Sequence, residues 1–226
     1  MARTRVAVVV GGGGPAAVAV DALGDLGTDP LVIAADSGLM HARDLGLTVH
    51  RVVGDMDSVD PAVLAAAADA GVVVDRHPEA KDATDLDLAI DAARAARPSR
   101  LVVVTGAGDR FDHALSVALS VSAARHADVA IEAWVGTAHL WVVRHQVTLR
   151  GEPGQLLSLL PVHGPAVGVT TGGLLYPLHD EDLQAGSTRG VSNEWAAEVA
   201  TVQLRSGVLV AVAPGAAGTH WARTAG

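Results

Sequence analysis

Six short apolar runs rich in β-branched residues recur along the first part of the chain: Val6–Val10, Leu31–Ala34, His50–Val53, Gly71–Val74, Leu101–Val104 and Val129–Trp134. Helix-like stretches separate them. Runs of this length and composition read as strands buried on both faces. The clearest helix start is Asp60-Pro61, where Asp60 is an N-cap, Pro61 takes the first helical position and Gly71 follows the last turn. A second helix is predicted from about Thr84 to Ala96 and a third from about Asp112 to Arg125. Strands alternating with helices of this length predict an α/β fold with a mostly parallel sheet covered on both faces. In such sheets ligands bind beyond the carboxyl ends of the strands.

The pattern changes after about residue 140. Trp141–Leu149, Leu156–Leu160, Val167–Thr171, Ala200–Leu204 and Val208–Val212 are strand-like and separated by Gly/Pro turns, with one short helix expected over Val191–Glu198. A smaller C-terminal all-β sandwich or barrel follows from this spacing. The expected domains are 1–140, an α/β domain, and 141–226, a β-sandwich, with the boundary near 138–146.

Several function classes drop out early. The chain has no cysteine, which removes disulfides, thiolate metal sites and a cysteine nucleophile. A net charge of −9 with 3% aromatic residues argues against a nucleic-acid surface. No apolar run reaches the length of a membrane span. Val6–Val10 is too short for a signal-peptide core and runs into glycines, so a cytoplasmic location is expected.

The aspartates fall in a pattern. Asp36 follows the second strand, Asp55 and Asp57 the third, Asp82 and Asp85 the fourth, and Asp112 the fifth. Parallel strands bring all these junctions to one sheet edge, together with Lys81 and Arg110. Clustered carboxylates repel one another unless a cation sits among them. Mg²⁺ is the natural occupant, because it takes hard oxygen ligands and shares them with substrate phosphates. In an extended segment residues two apart point the same way, so Asp55 and Asp57 are expected to face one metal. The competing reading is helix capping, which suits Asp60 and remains open for Asp82, Asp85 and Asp112 taken singly. Gly11–Gly14 has room for a phosphate but matches neither a dinucleotide fingerprint nor a P-loop. Ser58 has no His–Asp partners that would make it a nucleophile.

Read in order, Ala35-Asp36-Ser37-Gly38, Gly54-Asp55-Met56-Asp57-Ser58, Lys81-Asp82-Ala83-Thr84-Asp85 and Gly106-Ala107-Gly108-Asp109-Arg110-Phe111-Asp112-His113 resemble the motifs of thiamine pyrophosphokinases. Gly173-Leu174-Leu175-Tyr176-Pro177-Leu178 and Ser187–Glu194, which contains Ser192-Asn193, resemble that family's C-terminal signature. Ser37 stands where the family often has a second glycine, Met56 where it has phenylalanine, and Asp109 where glycine is frequent. The resemblance implies transfer of pyrophosphate from ATP to thiamine, giving thiamine diphosphate and AMP, in a homodimer with active sites between subunits. It further implies that Asp55, Asp57 and Asp85 hold Mg²⁺, that Asp82 supports the metal shell, and that Arg110 meets a phosphate. Asp112 would orient thiamine. Asp36, Ser37, Ser58, Lys81 and Thr84 would bind ligand, and Tyr176, Ser192 and Asn193 would line the thiamine pocket. Three rival readings are a pyrophosphokinase for another hydroxymethyl heterocycle such as a pterin, a non-catalytic nucleotide-binding protein, and a metal-dependent phosphohydrolase. The first two leave the aspartates or the C-terminal motifs without a purpose, and the third leaves the C-terminal motif unexplained.

Overall fold

A computed structural model describes residues 6–14, 17–80, 82–108 and 110–215. By internal contacts the chain forms two compact units, Met1–His113 with Val129–Gly136, and Ala114–Asp128 with Thr137–Gly226. Among the described residues no helix is long and apolar enough to cross a membrane.

The first unit is a six-stranded sheet of β1 (Val6–Val10), β2 (Leu31–Ala35), β3 (Arg51–Gly54), β4 (Val73–Arg76), β5 (Arg100–Thr105) and β6 (Ala130–Val135). The strands lie in the order β6-β5-β1-β2-β3-β4, and every pairing is parallel. All residues of β1 and β5 are buried, as expected of central strands covered on both faces. Helices α1 (Gly38–Asp44), α2 (Pro61–Asp69), α3 (Asp85–Ala95) and α4 (Phe111–Val121) follow strands β2, β3, β4 and β5. Leu39 of α1 and Leu64 of α2 share one apolar cluster with Ala34, Val52, Met56 and Val59. Helix α3 buries Ala89, Ile90 and Ala93 and lies against β1, β2, β3 and β5.

The helix starts were largely readable. Asp60 caps α2, accepting from the Ala62 N–H at 2.7 Å. Thr84 caps α3, accepting from the Asp87 N–H at 3.1 Å and donating to the Asp87 carboxylate at 3.0 Å. The expected third helix is shorter than predicted, ending at Val121. There the Ser122 hydroxyl donates back to the Ala118 carbonyl at 2.7 Å, and Arg144 donates to the carbonyls of Ser122 and Ala123 at 2.8 Å each. Helix α1 was not anticipated: seven residues beginning with glycine carry little periodic signal.

The second unit contains β7 (Ala138–Val143), β8 (Gln146–Arg150), β9 (Leu156–Pro161), β10 (Ala166–Gly172), β11 (Glu181–Leu183), β12 (Asn193–Glu194), β13 (Val199–Gln203) and β14 (Leu209–Ala213). Two antiparallel arrays result, β12-β9-β14-β7 and β11-β10-β13-β8, each burying alternate residues such as Leu157 and Leu159 on β9 or Ala200 and Val202 on β13. This is the expected all-β sandwich. Two local readings are corrected. The run Trp141–Leu149 is not one strand, because the chain bends at Arg144-His145 between β7 and β8. Val191–Glu198 is not helical: it carries β12, paired with β9, and Trp195, bridged to Leu174. Its conformation is set by partners distant in sequence, which override a weak local helical pattern.

One buried charge pair ties β5 to β6 and to the segment after β1. Arg100 and Glu132 are nearly inaccessible, at 8% and 3% exposure. Arg100 Nε donates to Glu132 at 2.7 Å, while its terminal nitrogens reach the carbonyls of Leu23 at 2.7 Å and Asp25 at 2.9 Å. Removing one charge of such a pair leaves the other buried and undercompensated. Glu132→Gln should therefore lower unfolding free energy by about 3–5 kcal/mol in denaturant titration. A loss below about 1 kcal/mol, the size typical of exposed pairs, would show that the pair is hydrated.

Candidate active site

All the junctions that carry aspartate lie at the carboxyl edge of the first unit's sheet, since its strands are parallel. Strand order makes β1 and β5 the switch point, because the connections from them leave in opposite directions. The loops after these two strands meet backbone to backbone. The Thr105 hydroxyl donates to the Gly12 carbonyl at 2.6 Å, and the Gly106 N–H to the same carbonyl at 3.1 Å. A Cβ at Gly106 would come within 2.3 Å of the Gly13 carbonyl oxygen, so only glycine allows this approach. Ser37 sits against the same loop: a Cβ at Gly12 would lie 2.5 Å from its hydroxyl.

Beside that crevice, one carboxylate oxygen from each of Asp36, Asp55 and Asp57 falls within 4.8 Å of the others. The three are held by distinct local devices. Asp36 is left-handed, with φ of 49°, a conformation that costs energy outside glycine and concentrates at functional sites. Its N–H donates to the Val53 carbonyl at 2.9 Å, and the Ser58 hydroxyl donates to its Oδ2. The other oxygen, Oδ1, is buried and accepts no hydrogen bond among the described residues. Met56 has φ of 69° and points into the apolar cluster below, so its flanking aspartates are turned outward. The Asp57 N–H donates to Asp55 Oδ1 at 3.1 Å. The segment is therefore an Asx turn and not the extended strand expected from sequence; the carboxylates converge because the turn folds them together.

Asp85, expected as the third metal ligand, is the first residue of α3. It adjoins the cluster at Gly54, where a Cβ would meet Asp85 Oδ1 at 3.1 Å and Asp36 Cβ at 3.2 Å. Gly54, with φ of 149°, thus leaves the space in which Asp36 and Asp85 approach. Capping of α3 falls to Thr84, which leaves neither Asp82 nor Asp85 needed for that purpose. Asp82 is exposed. Lys81 and Asp109 lie outside the described residues. Arg110 and Asp112 face solvent and pair with each other, at 3.0 Å from Nε and 2.6 Å from a terminal nitrogen. The Arg110 hydrogen bonds hold the Asp112 carboxyl down at about 2 and raise the Arg110 guanidinium in turn.

The donor set suits a hard divalent cation. Three acceptor-only groups converge, and one oxygen is both buried and without a donor, which is costly unless a cation or donor meets it. Sequence reasoning counted Asp36 among the carboxylates gathered at this edge but assigned it to ligand binding, with Asp55, Asp57 and Asp85 as the metal ligands. Its left-handed backbone, which aims it into the cluster, is a conformation that aspartate visits more readily than most residues but that no pattern in the sequence dictates.

In the second unit, Tyr176 is 54% exposed. The Ser192 N–H donates to the Ser158 hydroxyl at 3.1 Å, and Ser192 adopts φ of 57°. The loop before it is fastened by Arg189, which donates to both oxygens of Glu181 at 3.1 and 3.2 Å. Asn193 is buried against the Tyr176 backbone.

Comparison with known proteins gives two family matches. Residues 26–133 match the thiamin pyrophosphokinase catalytic domain, and residues 144–209 match the thiamin pyrophosphokinase vitamin B1 binding domain. A thiamine pyrophosphokinase of Bacillus subtilis (strain 168) is 25% identical over 203 residues, covering 88% of this chain and 94% of that protein. The crystal structure of the Bacillus subtilis protein superposes with a TM-score of 0.76 at 24% identity, covering 93% of this chain and 99% of the other. The thiamin pyrophosphokinase of Geobacillus thermodenitrificans gives 0.72 at 26% identity, with 92% and 97% covered. That of Candida albicans gives 0.72 at 12% identity, with 92% and 90% covered, a likeness of fold.

The charge of Asp55 beside it raises the Asp57 pKa above its usual 3.8, with smaller contributions from desolvation and from Asp36. A carboxylate raised in the folded state disfavours folding when ionised, and this penalty disappears as pH falls below the unfolded value. Asp57→Asn should accordingly raise the melting temperature in metal-free buffer at about pH 7, and the gain should vanish near pH 3. An unchanged or lower melting temperature at neutral pH would mean that the three carboxylates do not repel as placed.

Proposed function

We propose that this chain, which belongs to the thiamine pyrophosphokinase family, transfers the pyrophosphoryl group of ATP to the hydroxyl of thiamine. The products are thiamine diphosphate and AMP. The observation that carries this reading is the union in one chain of two features. The match to the catalytic domain contains the Asp36–Asp55–Asp57 cluster. The match to the vitamin B1 binding domain contains Tyr176 and Asn193.

In the reaction the alcohol oxygen of thiamine attacks the β-phosphorus of ATP. The bond to the oxygen bridging the α- and β-phosphorus breaks, that oxygen leaves with AMP, and the alcohol proton is released. Transition states of this type are loose, so positioning and charge neutralisation outweigh a strong base. Asp36, Asp55 and Asp57, with Asp85 adjoining, would hold Mg²⁺. The ion, when bound, neutralises charge on the phosphate oxygens. Ser58 fixes Asp36 by hydrogen bond, and the Asx turn fixes Asp57 against Asp55. The family resemblance assigns Ser37, Lys81 and Thr84 to ligand binding beside this cluster, and Asp82 to support of the acidic shell.

Arg110 and Asp112 divide their work. A guanidinium suits a phosphate better than an ammonium does, because its donors form a planar fork. Asp112, held at about 2, stays anionic and is too weak a base to drive proton removal. It serves to orient thiamine by accepting a hydrogen bond. Tyr176 presents an exposed ring that can stack on the aminopyrimidine or attract the thiazolium cation.

The family resemblance extends the reading to a cytoplasmic homodimer with active sites between subunits. An exposed apolar row on α4, Phe111, Leu115 and Leu119, lies on one helix face at fourfold spacing and supports association of copies.

Incubation with ATP, Mg²⁺ and thiamine should yield AMP and thiamine diphosphate in equal amounts. Asp55→Asn should cut turnover by about a hundredfold or more, the scale seen when electrostatic stabilisation of a transition state is removed. Formation of ADP with thiamine monophosphate, or full turnover by Asp55→Asn, would overturn the assignment.

A further inference from the structure

The chain contains a single tyrosine and a single asparagine, and the two are joined. Tyr176 lies on an exposed turn, yet its backbone is held like that of a strand residue. The segment Gly173–Tyr176 runs beside Asn193–Ala196: the Ala196 N–H donates to the Gly173 carbonyl and the Leu175 N–H to the Glu194 carbonyl, each at 2.9 Å. Leu174 and Trp195 form a bridge between them.

One residue further along, the side chain of Asn193 replaces the main chain as partner. The Tyr176 N–H donates to Asn193 Oδ1 at 3.0 Å, and Asn193 Nδ2 donates to the Tyr176 carbonyl at 2.7 Å. This pair of bonds resembles the ring that two residues exchange in an antiparallel ladder, with a carboxamide standing in for one of the residues. Asn193 Oδ1 also accepts from the Glu194 N–H at 2.9 Å. Both acceptor sites of the oxygen and one of the two amide protons are then occupied, on a residue only 4% exposed. Two donors facing one atom and an acceptor facing the other leave no doubt over which end is oxygen.

We propose that Asn193 is a positioning residue: it fixes the backbone of Tyr176, and so the direction of the phenol ring, while Tyr176 itself meets the rings of thiamine. This rests on the reading of Tyr176 as part of the thiamine pocket. It revises the expectation that Asn193 lines that pocket. Only asparagine offers an acceptor and a donor at this reach. Aspartate has the same shape but sets an oxygen against the Tyr176 carbonyl.

The test is a double-mutant cycle on the full chain, with Asn193→Asp, Tyr176→Ala and the combined variant. Asn193→Asp should raise the thiamine KM about tenfold, as expected when a buried bond is lost and two acceptors face each other. The ATP KM should stay within about twofold, since the rung is remote in sequence from the nucleotide loops and belongs to the other compact unit. In the Tyr176→Ala background the same substitution should change the thiamine KM less than about twofold, because the residue it acts through is gone. An equal factor in both backgrounds would make Asn193 a direct contact and overturn the proposal, as would an unchanged KM in the parent. A second measurement needs no variant. With one tyrosine and one asparagine, selective labelling gives one ring signal set and one side-chain amide pair. Thiamine should shift the Tyr176 ring signals and leave the Asn193 amide protons slowly exchanging and nearly unmoved. A large shift of that amide pair with a still ring would equally overturn it. If the parent forms no thiamine diphosphate, or Tyr176→Ala leaves the thiamine KM unchanged, the underlying pocket reading fails instead.

Discussion

Mutual repulsion among carboxylates at one sheet edge is the constraint around which the first unit is organised. Asp36, Asp55 and Asp57 have oxygens within 4.8 Å of one another, an arrangement a folded chain does not reach by hydrophobic collapse. It persists because the scaffold beneath it is rigid. Strands β1 and β5 are buried throughout, and Met56 anchors the acidic turn in the apolar cluster shared by α1 and α2. Two left-handed residues, Asp36 and Met56, set the carboxylate directions at a local cost that such packing can offset. A site that repels itself when empty gains most from a cation, and the cation in turn makes a polyphosphate welcome.

The second unit solves a different problem, that of presenting a ring at the surface without letting it wander. Tyr176 and Leu175 are exposed, and exposed turns are ordinarily the mobile parts of a fold. Here the turn borrows order from β12 and Trp195 through main-chain bonds, and from the Asn193 carboxamide where those bonds stop. The Arg189–Glu181 pair and the Ser192–Ser158 bond restrain the neighbouring loop in the same manner. Preorganisation of this sort reduces the ordering cost of binding a small flat ligand.

Much of this was legible in the sequence, for identifiable reasons. The parallel strands show because burial on both faces leaves uninterrupted apolar runs, and α2 shows because Asp60-Pro61 marks its start. The acidic junctions show because topology alone brings strand ends together, whatever the side chains do. Features fixed by distant contacts were not legible. That Asp36 belongs at this edge was legible, but the left-handed backbone and the Ser58 bond that aim its carboxylate at Asp55 and Asp57 were not. The Asp55–Asp57 segment turns, although its spacing also suits a strand. Helix α1 is too short to show a period, and β12 exists only through its pairing with β9. The Arg110–Asp112 pair and the Asn193–Tyr176 ring are geometric facts that residue identity allows but does not dictate.

The central claim is that the three-carboxylate cluster is a divalent-cation site, and Asp36 is its most telling member because its carboxylate converges on those of Asp55 and Asp57 although it was not expected as a metal ligand. Mn²⁺ binding in the presence of a non-hydrolysable ATP analogue, followed by water-proton relaxation, measures that site directly. Asp36→Asn should weaken Mn²⁺ binding about tenfold or more while leaving the protein folded, as loss of a metal-site carboxylate does. Equal Mn²⁺ affinity in the parent and Asp36→Asn proteins would contradict the account.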